Sequence, residues 1–137
     1  MIDVLIIDKT DQIKSALLVI QANVQSFDDE VKALNAVEST PSAVVLLDYG
    51  FMQEKTIDYI KLLEKAGSDS KIVVVADELS EEEILNCLLA GAKGYQQLDR
   101  FNDYSNKLVT AMNADEAWIT RRMTATLLDK LRMELRG

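Results

Sequence analysis

Two aspartates, each at the end of a short apolar run, are the side chains of this sequence best placed to do chemistry. Asp8 follows the run 4–7, and Asp48 follows the run 43–47. Such runs are typical of strands buried on both faces of a parallel sheet, and reactions in open α/β sheets take place beyond the carboxyl ends of the strands. The predicted chemistry is that of carboxylates, because the chain has no histidine to act as general base or metal ligand. In the alternative interpretation, each aspartate only starts a turn or caps a helix.

Strand-like runs and helical stripes alternate along the chain. Strands are predicted at 4–7, 24–27, 43–47, 72–76 and 93–97, and helices at about 11–23, from Asp28 or Asp29 to Pro41, at about 55–66, at 80–91 and at about 101–112. This order predicts an α/β fold, a doubly wound (βα)₅ parallel sheet with helices on both faces. Ser80 and Glu83 have the spacing of a capping box at the start of the fourth helix.

The helical stripes also predict which side chains face the core. The predicted inward positions of the first three helices are Ile13, Ala16, Leu17 and Ile20; Val31, Leu34, Ala36 and Val37; and Ile57, Ile60, Leu62 and Leu63. Cys87 is flanked by leucines in the fourth helix, so it is predicted to pack in the core rather than to act as a reactive thiol.

Composition and charge restrict the class of protein. A chain of 137 residues with 48% hydrophobic residues fits one domain with its own core. The net charge of −8 argues against a general binder of nucleic acids or anionic membranes, which needs Lys and Arg. The lone cysteine excludes a disulfide framework, and no signal peptide or membrane-spanning apolar run is found, so a cytoplasmic protein with no membrane contact is predicted.

A basic amphipathic helix is predicted at the end of the chain, over 120–136. Its apolar stripe consists of Met123, Leu127, Leu131 and Leu135, with Leu128 beside it. Three interpretations stay open: the helix packs back on its own domain, binds a second copy or another partner, or links to another domain. Trp118 and Ile119 are predicted to be a hydrophobic clamp that holds this helix.

Four features together resemble the receiver domain of two-component response regulators. They are Asp8, Asp48, the pair Ala76 and Asp77, and the turn Gly-Ala-Lys-Gly-Tyr at 91–95. The resemblance covers residues 1–113 and implies a flavodoxin-like sheet with strand order 2-1-3-4-5. Residues 114–137, the predicted linker and C-terminal helix, look like the linker of the branch that carries a C-terminal helix-turn-helix DNA-binding domain.

The resemblance implies a role for each position of the pocket. Asp48 stands where the family has its phosphoacceptor, and Asp8 is the first of two acids that help to hold Mg²⁺, but the second acid is Lys9 here. The hydroxyl that the family places after the fourth strand is Ala76 in this chain, and the family's phosphate-binding lysine is Leu98. The family's switch aromatic is retained as Tyr95.

These replacements predict a degenerate receiver, or pseudo-receiver, that is not an enzyme and has no cofactor. The Lys9 ammonium is predicted to reach the carboxylates of Asp8 and Asp48 and to replace the metal ion as an internal cation. The alternative keeps weak phosphorylation of Asp48, or binding of Mg²⁺ by Asp8 and Asp48 with the backbone carbonyl of Gly50.

The resemblance also implies the partners. We expect phosphorylation-independent signal transduction or transcription regulation through protein contacts, with a homodimer formed by the face 85–90, 95–98 and 104–112 or by the terminal helix. A histidine kinase or another signalling protein is a further expected partner. DNA would be contacted only through a C-terminal domain that this chain does not contain.

Overall fold

Five parallel strands form one sheet with the order β2-β1-β3-β4-β5 in the computed structural model, which describes residues 2–17 and 22–136. The strands are β1 (Ile2–Ile7), β2 (Ala22–Phe27), β3 (Val44–Asp48), β4 (Lys71–Ala76) and β5 (Gly94–Gln97). The central strands β3 and β4 are buried along their whole length, as their continuous apolar runs predict. The predicted strand order is confirmed.

Helices cover both faces of the sheet. They are α1 (Gln12–Ala16), α2 (Glu30–Ser39), α3 (Tyr49–Met52), α4 (Thr56–Ala66), α5 (Glu81–Ala90), α6 (Phe101–Asn113) and α7 (Arg121–Arg136), with 3₁₀ turns at Gln53–Lys55 and Leu98–Arg100. One core cluster packs α2, α4, α5 and the start of α7 against the sheet, and a second cluster packs α1 and α6 against the other face. The alternation of strands and helices confirms the (βα)₅ prediction. None of the helices described is long and apolar enough to cross a bilayer.

The first helix is shorter than the predicted 11–23. Helix α1 ends at Ala16, and Asn23 lies in β2, where it pairs in register with Asp3 and its side-chain amide donates a hydrogen bond to that carboxylate over 3.2 Å. At residues 22 and 23, strand pairing at the sheet edge therefore outweighs the predicted helix. Ile20, the last residue of the predicted stripe, lies outside the described residues.

Two predicted inward positions are wrong. Val31 is 58% exposed and Leu62 is 50% exposed. Val37, Ile60 and Leu63 are buried as predicted, and Ala33 and Tyr59, each one helical turn from a predicted position, are buried as well. Gly50, which follows β3, lies in the short helix α3.

Two features predicted for the helix now numbered α5, its capping box and its buried cysteine, are confirmed. The Ser80 hydroxyl accepts a hydrogen bond from the Glu83 backbone N–H, and the Glu83 carboxylate accepts one from the Ser80 N–H, each at 3.1 Å. Cys87 is buried, and burial, followed by the negative charge of Glu83, raises the pKa of its thiol to about 11. The thiol is therefore a packing group of the core.

Candidate functional site

The two aspartates singled out in the sequence lie side by side at the carboxyl end of the sheet. Strands β1 and β3 are paired neighbours with Ile7 opposite Leu47, so Asp8 and Asp48 leave the sheet at adjacent points. Asp8 is 3% exposed and Asp48 is 8% exposed. The predicted acidic pocket is thus brought together by parallel pairing alone.

Asp8 is bound by its own loop. One carboxylate oxygen, Oδ1, accepts hydrogen bonds from the backbone N–H of Thr10 at 2.9 Å and from its hydroxyl at 3.1 Å. The other oxygen, Oδ2, accepts the backbone N–H of Ile13 in the first turn of α1 at 2.9 Å. Both oxygens therefore hold the loop between β1 and α1 in place, which is the turn-forming and capping role of an aspartate.

Asp48 is held more loosely than Asp8. Its Oδ1 accepts the backbone N–H of Gly50 at 3.2 Å, which makes it the N-cap of α3. Burial raises the pKa of the Asp48 carboxyl to about 6, the Gly50 N–H opposes this rise, and the nearby charges of Asp8 and Asp77 add to it. Within the described ranges, no lysine or arginine forms an ion pair with Asp8 or Asp48.

The predicted internal cation is not seated between the two aspartates. Lys9 is exposed, and its Nζ lies over the ring of Phe51, 5.1 Å from the centroid. Within residues 2–17 and 22–136, no ion pair includes Lys9. The prediction that its ammonium pairs directly with Asp8 and Asp48 is therefore wrong for this structure. An exposed ammonium is well hydrated, and the ring offers a cation–π contact without the cost of dehydration.

Two of the three switch positions, Ala76 and Leu98, have apolar side chains that offer no donor to a phosphate. Ala76 ends β4 and is 5% exposed, with a methyl group where the family has a hydroxyl. Leu98 packs against the second core cluster, and Tyr95 packs against the first cluster on the opposite face of the sheet. These neighbours agree with the aliphatic and aromatic character of the two side chains.

The donor set fits a divalent cation poorly. Asp8 and Asp48 supply two carboxylates, and Lys9 stands where a further acid would be needed. In the part of the chain that the structure describes, no group of three or more His, Cys, Asp or Glu side chains is arranged to hold a metal ion. The described residues are therefore a poor set of ligands for Mg²⁺.

Sequence reasoning missed two partners in this site, Thr10 and Phe51. The spacing Asp-x-Thr was a usable signal, because an aspartate often accepts the backbone N–H two residues later. The contact between Lys9 and Phe51 had no such signal, since it joins the loop after β1 to helix α3, which follows β3.

The C-terminal segment divides into a docked part and a free part. Met123 is 9% exposed and belongs to the first core cluster, against which Leu127 also packs. The remaining leucines of the stripe, Leu128, Leu131 and Leu135, are exposed. The interpretation that this helix packs on its own domain therefore holds for its first half only.

Comparison with known proteins identifies the fold. No protein-family model matches this sequence, and comparison with curated proteins finds no match. The isolated REC domain of RcsB from Salmonella enterica serovar Typhimurium, in the apo form, is 18% identical with a TM-score of 0.78, over 94% of this chain and 99% of that chain. A LuxR family DNA-binding response regulator from Silicibacter pomeroyi is 21% identical with a TM-score of 0.72, over 89% and 99% of the two chains. A response regulator from Thermotoga maritima is 22% identical with a TM-score of 0.66, over 80% and 98%.

The similarity to the isolated REC domain of RcsB covers 94% of this chain, so it includes part of the C-terminal segment as well as the sheet. At these sequence identities the likeness concerns the fold, and the function has to be argued from the site. The chain therefore has the fold of response-regulator receiver domains.

Proposed function

We propose that this chain is a receiver-like signalling module that acts through protein contacts and does not depend on phosphorylation of Asp48. The observation that carries the proposal is the chemistry around Asp48, where Ala76 and Leu98 are apolar and the Lys9 ammonium lies over the ring of Phe51. Phosphoryl transfer to a carboxylate needs the charge on the phosphate to be neutralised and held in line. Ala76 and Leu98 offer no hydroxyl or ammonium for this purpose.

The second part of the proposal is self-association through the free half of α7. Leu128, Leu131 and Leu135 are spaced by three and four residues, which is the spacing of a two-helix seam. All three side chains are exposed, and the preceding turns of the helix are anchored on the domain. A second copy of this chain is the partner that we propose for this seam.

A phosphoacceptor role for Asp48 is the competing function. One observation favours it: within the described ranges the Asp48 carboxylate accepts a single backbone N–H, that of Gly50, whereas the Asp8 carboxylate accepts two. In that case the chain would be a response regulator that receives a phosphoryl group from a histidine kinase.

The test is incubation with acetyl phosphate and Mg²⁺ followed by intact mass measurement. We expect no phosphoryl adduct on the native chain. The matched variant Lys9→Asp restores the second acid of the pair, and we expect it to bind Mg²⁺ more tightly, because a like charge close to the ion is replaced by an opposite one. An adduct on the native chain that disappears in Asp48→Asn would overturn the proposal in favour of the competing function.

A further inference from the structure

We propose that residues 115–123, which we call the clasp, form a latch that opens separately from the sheet. The clasp connects the end of α6 to the first turn of α7 and lies across the open edge of β5. Its opening would free the docked half of α7. The latch itself is argued from contacts alone, whereas its consequence for self-association rests on the proposed function.

A single backbone rung joins the clasp to the sheet. The Trp118 N–H donates to the Lys93 carbonyl over 3.1 Å, and the Tyr95 N–H donates to the Trp118 carbonyl over 3.0 Å, so Trp118 pairs in parallel with Gly94. The chain then leaves the edge of β5 and enters α7. The Thr120 hydroxyl caps this helix by accepting a hydrogen bond from the Met123 N–H. The clasp thus covers the edge strand β5 through a single β-bridge.

Gly94 makes this rung possible. A Cβ atom at this position would lie 2.8 Å from the Trp118 Cβ and 2.9 Å from its carbonyl oxygen. Backbone and Cβ atoms cannot yield as the far end of a flexible side chain can. Glycine is therefore required at position 94 for the clasp to dock, and any larger residue would push Trp118 away from the strand.

The Trp118 side chain contacts both β5 and α6. Its Nε1 donates a hydrogen bond of 2.9 Å to Oε1 of Gln96, and its ring lies 6.3 Å from that of Tyr104 on α6. The indole also packs against the second core cluster.

Charged contacts hold both ends of the clasp. The Lys71 ammonium at the start of β4 lies 3.5 Å from the Asp115 carboxylate, and Arg122 lies 3.1 Å from Glu81. The Lys71 side chain is only 7% exposed, whereas that of Asp115 is 78% exposed. Opening the clasp would leave a buried ammonium without its carboxylate, which favours the closed position.

Apart from Trp118 and Met123, the clasp residue that packs against the core is Ile119. Residues 113–117 are exposed, and Asp115 has a φ of 62°. By contrast, the neighbouring strand β4 is paired along its length with β3 on one side and β5 on the other. Segments with few buried apolar contacts and short ladders open at a lower free energy than the core.

Opening would change the surface that α7 offers. In the closed position Met123 and Leu127 pack on the domain, so the free seam is limited to Leu128, Leu131 and Leu135. In the open position the stripe would run from Met123 to Leu135, over about three helical turns. The latch would therefore control the length of the seam proposed for self-association.

The test uses the full chain and its single tryptophan, which lies in the clasp. In Gly94→Ala we expect Trp118 emission to shift to the red and the amides of Tyr95 and Trp118 to exchange at least about tenfold faster, while the amides of Val45 and Val73 keep their protection. Gly50→Ala is the matched control, since a Cβ there meets nothing closer than 3.4 Å, and it should change neither signal. Asp115→Asn, which leaves the sheet untouched, should shift both signals in the same direction by a smaller amount.

Two results would overturn the latch. One is unchanged emission and exchange in both Gly94→Ala and Asp115→Asn. The other is equal acceleration of the clasp and of the β3 and β4 amides, which would make the clasp part of one cooperative unit. Sedimentation of the same samples separates the two proposals: a latch that opens without any gain in self-association contradicts the role of α7 in the proposed function and leaves the latch standing.

Discussion

At the scale of single residues, Asp48 should make stability depend on pH. Its folded pKa of about 6 lies above the ordinary value of 3.8, so between these values the folded state holds a proton that the unfolded state has lost. Stability therefore falls as pH rises from about 4 to 6. Asp48→Asn removes this loss, and we expect the variant to be more stable than the native chain at pH 7.5 by up to about 2 kcal/mol, with a smaller gain at pH 4.5.

Urea denaturation at the two pH values measures this difference. Asp28→Asn is the matched control, because Asp28 is exposed in the loop before α2. A gain in stability that is equal at both pH values would show that the effect of Asp48→Asn does not come from the titration of this carboxyl.

Asp8 should behave as a structural residue. Asp8→Ala removes the acceptor for two backbone N–H groups and one hydroxyl, so we expect the free energy of unfolding to fall by about 2–3 kcal/mol. Thr10→Val removes only the hydroxyl contact and should lower it by about 1 kcal/mol or less. Equal stability of Asp8→Ala and the native chain would contradict the loop-holding role and reopen the possibility of a ligand-binding carboxylate.

At the scale of elements, α7 is one helix with two environments. We expect Met123→Ala to lower the free energy of unfolding by about 2 kcal/mol, because this side chain fills the first core cluster. Leu131→Glu, on the exposed half, should leave stability unchanged and weaken self-association. Thermal unfolding and sedimentation of the two variants distinguish these effects, and loss of stability in Leu131→Glu would show that the distal half is also docked.

At the scale of the whole molecule, charge is distributed unevenly. The net charge is −8, yet α7 carries five basic residues and two acidic ones. Two α7 helices that pair side by side would repel each other, as would the two acidic domains. We therefore expect self-association to strengthen when salt is raised from about 50 to about 500 mM, since exposed charges are screened over a few ångström at high salt.

Sedimentation across this salt range is the measurement. Weaker association at high salt would contradict the helix-to-helix seam and indicate that basic α7 docks on an acidic surface of the second copy. Leu131→Glu serves as the control in which association should be weak at both salt concentrations.

The amino-acid sequence by itself determined the sheet and the location of the pocket. Continuous apolar runs mark buried parallel strands, and parallel pairing places the residues that follow β1 and β3 next to each other, so Asp8 and Asp48 could be predicted as neighbours. The capping box at Ser80 was also readable, because it depends on residues three apart in the chain.

Only the tertiary structure decided what those residues contact. The Lys9 ammonium contacts the ring of Phe51 rather than the two aspartates, and Gly94 allows Trp118 to pair at the edge of the sheet. Both contacts join segments that are distant in sequence, so local spacing could not predict them. The same reason applies to α7, whose apolar stripe is uniform in sequence. The first turns of α7 pack against the core and the last turns do not. The point at which the clasp leaves the edge of β5 sets which turns reach the core.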